Sequence, residues 1–323
     1  MSPVWSGWLP PESLAVLAAA TWATASLFSA AASARMGAFA FTRWRMVFAA
    51  VLLWGMALAT GSWRSLAGGD LGAGPGVAGE WAGGAVAWDA VGLLVLSGVI
   101  GIFVGDTALF ACMNRLGPRR SGLLFATHSL FTVVLAALFL DESLKGWALP
   151  GGVLLVGGVM GAIAFGKRGG VAHQLESTQG QLAVGVALGV LSALGQSVGT
   201  LVLKPAMAAG LDPVAASAVR MTAGFACHAL LWCAGLPMAR VQSPLQWRDL
   251  AYTFASATLA MAVGMTLILK ALQHGSAGLV GMLSSVSPVL LLPLLWWRTG
   301  QRPAWGAWVG AAMAVLGCAL LLG

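Results

Sequence analysis

The chain has 323 residues, 59% hydrophobic and only 8% charged, with a mean hydropathy of +0.87 and a formal net charge of +7. Soluble domains carry about 25% charged residues, so this composition excludes a soluble globular enzyme and sets most side chains against lipid or other helices. The 17 basic residues are scattered near segment ends and form no run able to grip nucleic acid; they carry topology information instead.

The opening stretch, MSPVWSGWLPPES, shows neither a basic n-region nor a small-residue cleavage site, so the first apolar run is expected to stay as a span rather than be removed. Ten apolar segments follow, at 14–31, 36–60, 90–113, 121–140, 147–165, 182–203, 213–236, 250–272, 277–297 and 305–322. At 1.5 Å per residue each approaches the ~30 Å hydrocarbon thickness of a bilayer. They are apolar on every face, which rules out the short alternating strands of a membrane β-barrel. Two connections are long: 61–89, rich in Gly and Ala, and 166–180, the most polar stretch. The second divides the chain into five segments and five, and predicts a first repeat at 1–168, a polar linker at 169–180 and a second repeat at 181–323.

A shift of 159 residues aligns the later part of each half without a gap, bringing Thr107 to Thr266, Gly122 to Gly281, Gly151 to Gly310 and Gly158 to Gly317. Earlier in each half, Arg45-Met46 and Arg220-Met221 occupy similar places. An odd number of spans per copy forces the second copy to enter the membrane in the opposite sense, which makes an inverted repeat. The fold expected is all-α and integral to the membrane, ten transmembrane helices in two inverted five-helix repeats. Gly151 and Gly158, like Gly310 and Gly317, lie seven apart on one helix face, and Gly157 and Gly161 make a GxxxG; small residues in this pattern let helices approach closely in lipid.

The fourth and fifth segments read SLFTVVLAALFLDESLKGWALPGGVLLVGGVMG, and the ninth and tenth SPVLLLPLLWWRTGQRPAWGAWVGAAMAVLGC. With ten spans and two repeats, this pattern resembles the drug/metabolite transporter superfamily, EamA type. The family pattern of a helix Pro, an apolar run, a Gly-Glu pair and a later Gly is met by Pro288, Gly300 and Gly310, with Gln301 in place of the Glu. In the first half Ser129 replaces the Pro, Glu142 keeps the acid and Gly151 stands in register. Arg45 and Arg220 match the family's Arg near the start of the second helix of each half. The resemblance implies a transporter with both termini cytoplasmic, and it leaves the substrate open.

Ionisable groups inside spans default to functional candidates. Asp106, in GVIGIFVGDTALFACM, is the one acid well inside a segment. It is the expected proton-coupling group, or else the fixed partner of Arg45 or Arg220; His128 is the next candidate. His128 and Ser129 correspond to Ser287 and Pro288 under the 159-residue shift, with Ser284 and Ser285 nearby. Trp22 and Gln196 are expected to face the same cavity. Glu142, at a turn between helices, is read as a cap for the free N–H groups of the next helix; Gly151, Gln301 and Gly310 complete the structural motif.

The function expected is secondary transport of a small organic solute, by export or exchange with alternating access, in a bacterial inner membrane. Two other classes stand beside it: an embedded enzyme acting on lipid or peptide, and a permease subunit of a larger complex. The chain offers no HExxH, GxSxG or GK[ST] loop. The four cysteines, Cys112, Cys227, Cys233 and Cys318, show no CxxC spacing. No catalytic residue, metal or cofactor is expected. Solute and lipid are the expected partners, nucleic acid is not, and a homodimer stays open.

Loop charges argue the opposite orientation to the resemblance. Arg35, Arg115, Arg119, Arg120, Lys167, Arg168, Arg240, Arg248, Arg298 and Arg302 fall at one end of the bundle, and Arg64, Lys145, Lys204 and Lys270 at the other, with the termini; the positive-inside rule would put the first group in the cytoplasm. A reporter fused after Gly323, active only in the periplasm, separates the two: cytoplasmic termini leave it silent.

Overall fold

The computed structural model describes residues 9–67, 88–142, 147–165, 180–299, 302 and 304–322, and the described residues form helices and their connections without a β-strand. Eight helices are long and apolar enough to cross a membrane: α1 (Pro11–Met36), α2 (Ala38–Thr60), α3 (Trp88–Gly117), α4 (Arg120–Phe139), α6 (Leu182–Ala208), α7 (Pro213–Cys233), α8 (Trp247–His274) and α9 (Ala277–Leu294). Two shorter apolar helices join them, α5 (Ala148–Ala164) and α10 (Trp305–Leu322). Gln301 and Gly300, and the linker 169–179, lie outside the described residues.

Helix ends follow local chemistry. Pro11 and Pro213 sit in first turns, where a missing N–H costs nothing. Asp212 caps α7 by accepting from the N–H groups of Val214 and Ala215 at 2.8 and 3.1 Å. The junction of α1 and α2 is a single residue, Gly37, at φ 83°; the sequence placed this turn at 32–35, just before it. The left-handed backbone and the Gln242 side chain, 2.8 Å from where a Cβ would lie, together require glycine here. The predicted end of α6 before Lys204-Pro205 is passed: the helix runs to Ala208 with Pro205 inside its last turns.

Departures from α-helix recur at matching places. α3 widens into π-helical turns over Gly98–Asp106 and α8 over Ala257–Gly264, positions related by the 159-residue shift. α4 breaks at Thr127 and α9 at Ser285 and Val286, again related by that shift. The helices are interlocked: α3 packs on α6 and α7, α8 packs on α1 and α2, and α2 lies along α7. Each half thus surrounds a helix of the other, consistent with a two-repeat organisation.

The closest packing is between α5 and α10. A Cβ at Gly151 would lie 3.1 Å from the Gly317 carbonyl oxygen, and one at Gly158 only 2.6 Å from that of Gly310. The shift that takes Gly151 to Gly310 takes Gly158 to Gly317, so the two contacts exchange, as a two-fold relation requires. A second glycine seam joins α3 to α6. There a Cβ at Gly195 would be 3.0 Å from the Cα of Gly105, and one at Gly199 2.8 Å from the Cα of Gly101. Both strands of this seam are GxxxG (GIFVG and GQSVG). The GxxxG singled out from sequence is not a seam of this kind: Gly157 has nothing within 4 Å of its Cβ position and Gly161 only the Gly310 Cα at 4.0 Å.

Backbone atoms cannot give way as side-chain tips can. Gly158→Leu or Gly310→Leu should therefore cost more than the ~1–3 kcal/mol of ordinary overpacking, read as a lower unfolding midpoint in detergent or loss of monodisperse protein. Gly157→Ala should leave that midpoint unchanged.

Candidate solute site

Arg45 and Arg220 are each the eighth residue of their helices, α2 and α7, about 10 Å from the helix start at 1.5 Å per residue. The two helices start at opposite ends of the bundle, so the two guanidiniums enter from opposite sides and meet the same helix, α3. Arg45 Nη1 donates to Asp106 Oδ2 at 2.9 Å, with both side chains buried. Its guanidinium also stacks over the rings of Phe110 and Phe41, at 5.1 and 5.9 Å. Asp106 closes the π-helical stretch of α3, and its carboxylate is aimed by that widening rather than by a turn.

Arg220 is 1% exposed, and neither its Nε nor its Nη1 has a hydrogen-bond partner. Its Nη2 lies 3.4 Å from where a Cβ of Gly101 would sit, so the guanidinium occupies space that the α3–α6 glycine seam leaves open. It is close enough to Asp106 to feel the carboxylate's charge. Arg45 Nε is also buried without a partner. Trp44 Nε1 on α2 and Ser192 Oγ on α6 are likewise buried without a partner among the described residues, and Gln196, 6% exposed, lies one turn beyond Ser192 along the same face. Arg43, two residues before Arg45 on α2, behaves differently. It donates to the Ala239 carbonyl at 2.8 Å and lies over Trp232, reaching towards the helix end.

The remaining candidates fall around the other helix breaks. Trp22 lies against α8. Its Nε1 donates to the Ala260 carbonyl, 3.0 Å away in the π-helical stretch of α8, beside Gly264. Gly264 is Gly105 moved by 159 residues, so Trp22 holds at α8 the place that Gln196 holds at α3. Ser129, Ser284 and Ser285 each donate to a carbonyl three residues back, at 2.9, 2.9 and 2.7 Å. These hydroxyls serve carbonyls freed by the breaks in α4 and α9. The His128 carbonyl accepts from Ser197 Oγ at 2.7 Å, while its ring tilts against Phe125. Ser287 and Pro288 open the second segment of α9, where Pro288 falls in a first turn.

Glu142 caps α9, a helix of the other half. Its two carboxylate oxygens accept from the N–H groups of Ala277 and Gly278 at 3.0 and 3.1 Å, at the start of α9. Lys204 Nζ donates to the carbonyls of Leu272 and Gly275 at the end of α8. The two side chains bracket the α8–α9 turn from opposite halves of the chain, and the sequence did not foretell this tie because it is purely tertiary. His228 is not among the sequence candidates, yet its Nε2 lies 3.1 Å from Thr107 Oγ1, next to Asp106, with Phe39 and Phe103 edge-on to its ring. The signal available was Thr107 following Asp106; nothing in the sequence pointed from α3 to α7. Among the described residues no three His, Cys, Asp or Glu side chains gather as metal ligands.

Removing Asp106 strands two buried cations. Asp106→Asn is expected to lower stability by about 3–5 kcal/mol, seen as a lower unfolding midpoint in detergent, and Arg45→Gln in the same chain should restore part of the loss. Glu142→Ala, which frees two N–H groups of α9, should cost about 1–2 kcal/mol.

The EamA-like transporter family matches residues 9–164 and, a second time, 183–323. No curated protein sequence matches the chain. A solved crystal structure superposes on it with a TM-score of 0.71, covering 96% of this chain and 95% of that one at 18% identity; at that identity the likeness speaks for the fold alone.

Proposed function

Because the chain belongs to the EamA-like transporter family, we propose that it is a secondary transporter that moves a small organic solute across the bilayer by alternating access. In this reading the two halves, 1–168 and 181–323, are inverted repeats joined by the linker 169–180, and all ten apolar helices span a bacterial inner membrane. The observation that carries it is the set of matched departures from α-helix, in α3, α4, α8 and α9, around buried polar groups. Wide or broken helices expose carbonyls and bend easily, and in membrane proteins such backbone is tolerated where protein or a cavity covers it. The α3–α6 and α5–α10 glycine seams supply flat surfaces along which one half can rock on the other.

Coupling to a proton gradient through Asp106 requires the bridge to Arg45 to open before the carboxyl accepts a proton. That makes the pair, rather than the acid alone, the element to test. The purified chain in proteoliposomes should exchange internal for external solute without ATP, and a solute panel should show saturable counterflow. An absence of counterflow across amino acids, organic acids and organic cations would overturn the reading. With a pH gradient imposed, the variant Arg45→Gln/Asp106→Asn should still exchange solute but no longer respond to the gradient. An unchanged gradient response there would move the coupling to His128, tested as His128→Gln.

A further inference from the structure

The buried centre is not charge-balanced. Asp106 supplies one negative charge and is held by Arg45 at 2.9 Å, while Arg220 brings a second guanidinium, 1% exposed, with Nε and Nη1 unpartnered. A guanidinium stripped of water and given no acceptor is costly, and breaking or omitting a partner in such a place leaves several kcal/mol uncompensated. Aromatic rings screen Arg45, but among the described residues no ring contact of this kind is present at Arg220. Gly101 lies against it, and a Cβ there would come within 3.4 Å of Nη2. The other orphaned polar atoms on α2 and α6, Trp44 Nε1, Arg45 Nε and Ser192 Oγ, can all donate to an acceptor.

From this geometry we infer that the centre is completed by the solute, and that the solute is an organic monoanion whose carboxylate or equivalent group is received by the Arg220 guanidinium. The inference rests on the transporter reading and sharpens it. One negative charge brings the Arg45–Asp106–Arg220 set to neutrality. A zwitterion leaves it at +1, a cation raises it to +2 and a dianion carries it to −1, each charged inside a site with little water. Each parallel pair of the guanidinium, Nε with Nη2 on its side or Nη1 with Nη2 at its end, includes one of the unpartnered nitrogens and matches the two oxygens of a carboxylate. Recognition at Arg220 also offers a way for binding to affect the bridge: a bound anion competes with Asp106 for the neighbouring guanidiniums.

The test uses the full chain in detergent, in chloride-free sulfate buffer. Calorimetry measures binding of butyrate and benzoate as monoanions, succinate as dianion, alanine as zwitterion, choline as cation, and chloride as the inorganic alternative. Butyrate or benzoate should bind at least tenfold more tightly than succinate, alanine, choline or chloride. Arg220→Gln should weaken that binding roughly tenfold to hundredfold, the range of a charge-assisted hydrogen-bonded pair. Because the substitution removes an unpaired buried cation, it should leave the unfolding midpoint unchanged or raise it. Equal or tighter binding of any comparison solute, undiminished butyrate and benzoate binding in Arg220→Gln, or a clearly lower midpoint for that variant would each overturn the inference. Its failure is separable from that of the transporter reading. Counterflow with no preference for monoanions defeats only the site, whereas Arg220-dependent binding without any flux upholds the site and defeats transport.

Discussion

Close approach of helix backbones at glycine is the constraint on which the other features depend. In lipid there is no hydrophobic force to drive one apolar helix against another, so association relies on van der Waals contact and on the few polar ties available. The α5–α10 seam through Gly151, Gly158, Gly310 and Gly317 and the α3–α6 seam through Gly101, Gly105, Gly195 and Gly199 bring carbonyls and Cα atoms to distances that no side chain allows. The first seam joins the halves at their last helices. The second holds α3, with Asp106 and its π-helical stretch, against the other half.

That placement brings charge into the interior. A π-helical stretch turns the carboxylate of Asp106 towards α2, where Arg45 meets it, and leaves Arg220 on α7 beside the glycine seam. The pair and the free guanidinium are therefore products of the same packing. At the opposite helix of the pseudo-symmetric set, α8, the residue in the place of Asp106 is Met265, and Trp22 supplies the polar contact to Ala260 instead. The two halves share a backbone plan and differ in charge, so the interior is asymmetric although its frame is not.

At one end of the bundle two side chains hold the α8–α9 turn, one from the first half and one from within the second. Glu142 reaches across to the start of α9 and Lys204 to the end of α8. Each satisfies backbone groups that a helix terminus leaves free. These ties are separate from either glycine seam.

Composition and periodicity by themselves determined that the chain lives in a bilayer, where its apolar segments lie, and that its halves correspond at a shift of 159 residues. These properties follow from hydropathy and from the covalent order of small and large residues, which act locally. The sequence also marked Asp106, Arg45 and Arg220, because ionisable groups inside apolar runs are conspicuous one at a time. It did not decide which of them pair, since Arg45 and Arg220 look alike as residues and only the helix positions give Asp106 to one and leave the other bare. Nor did it decide which GxxxG is a seam: Gly157 and Gly101 stand in the same local pattern, and the face each turns towards a neighbour separates them. The contact of Trp22 with Ala260 on α8, at the place that Gln196 holds on α3, came only with the tertiary structure. The partners of Glu142, Lys204 and His228 are likewise decided by tertiary structure, as each lies on a helix distant in the chain and brought near only by packing.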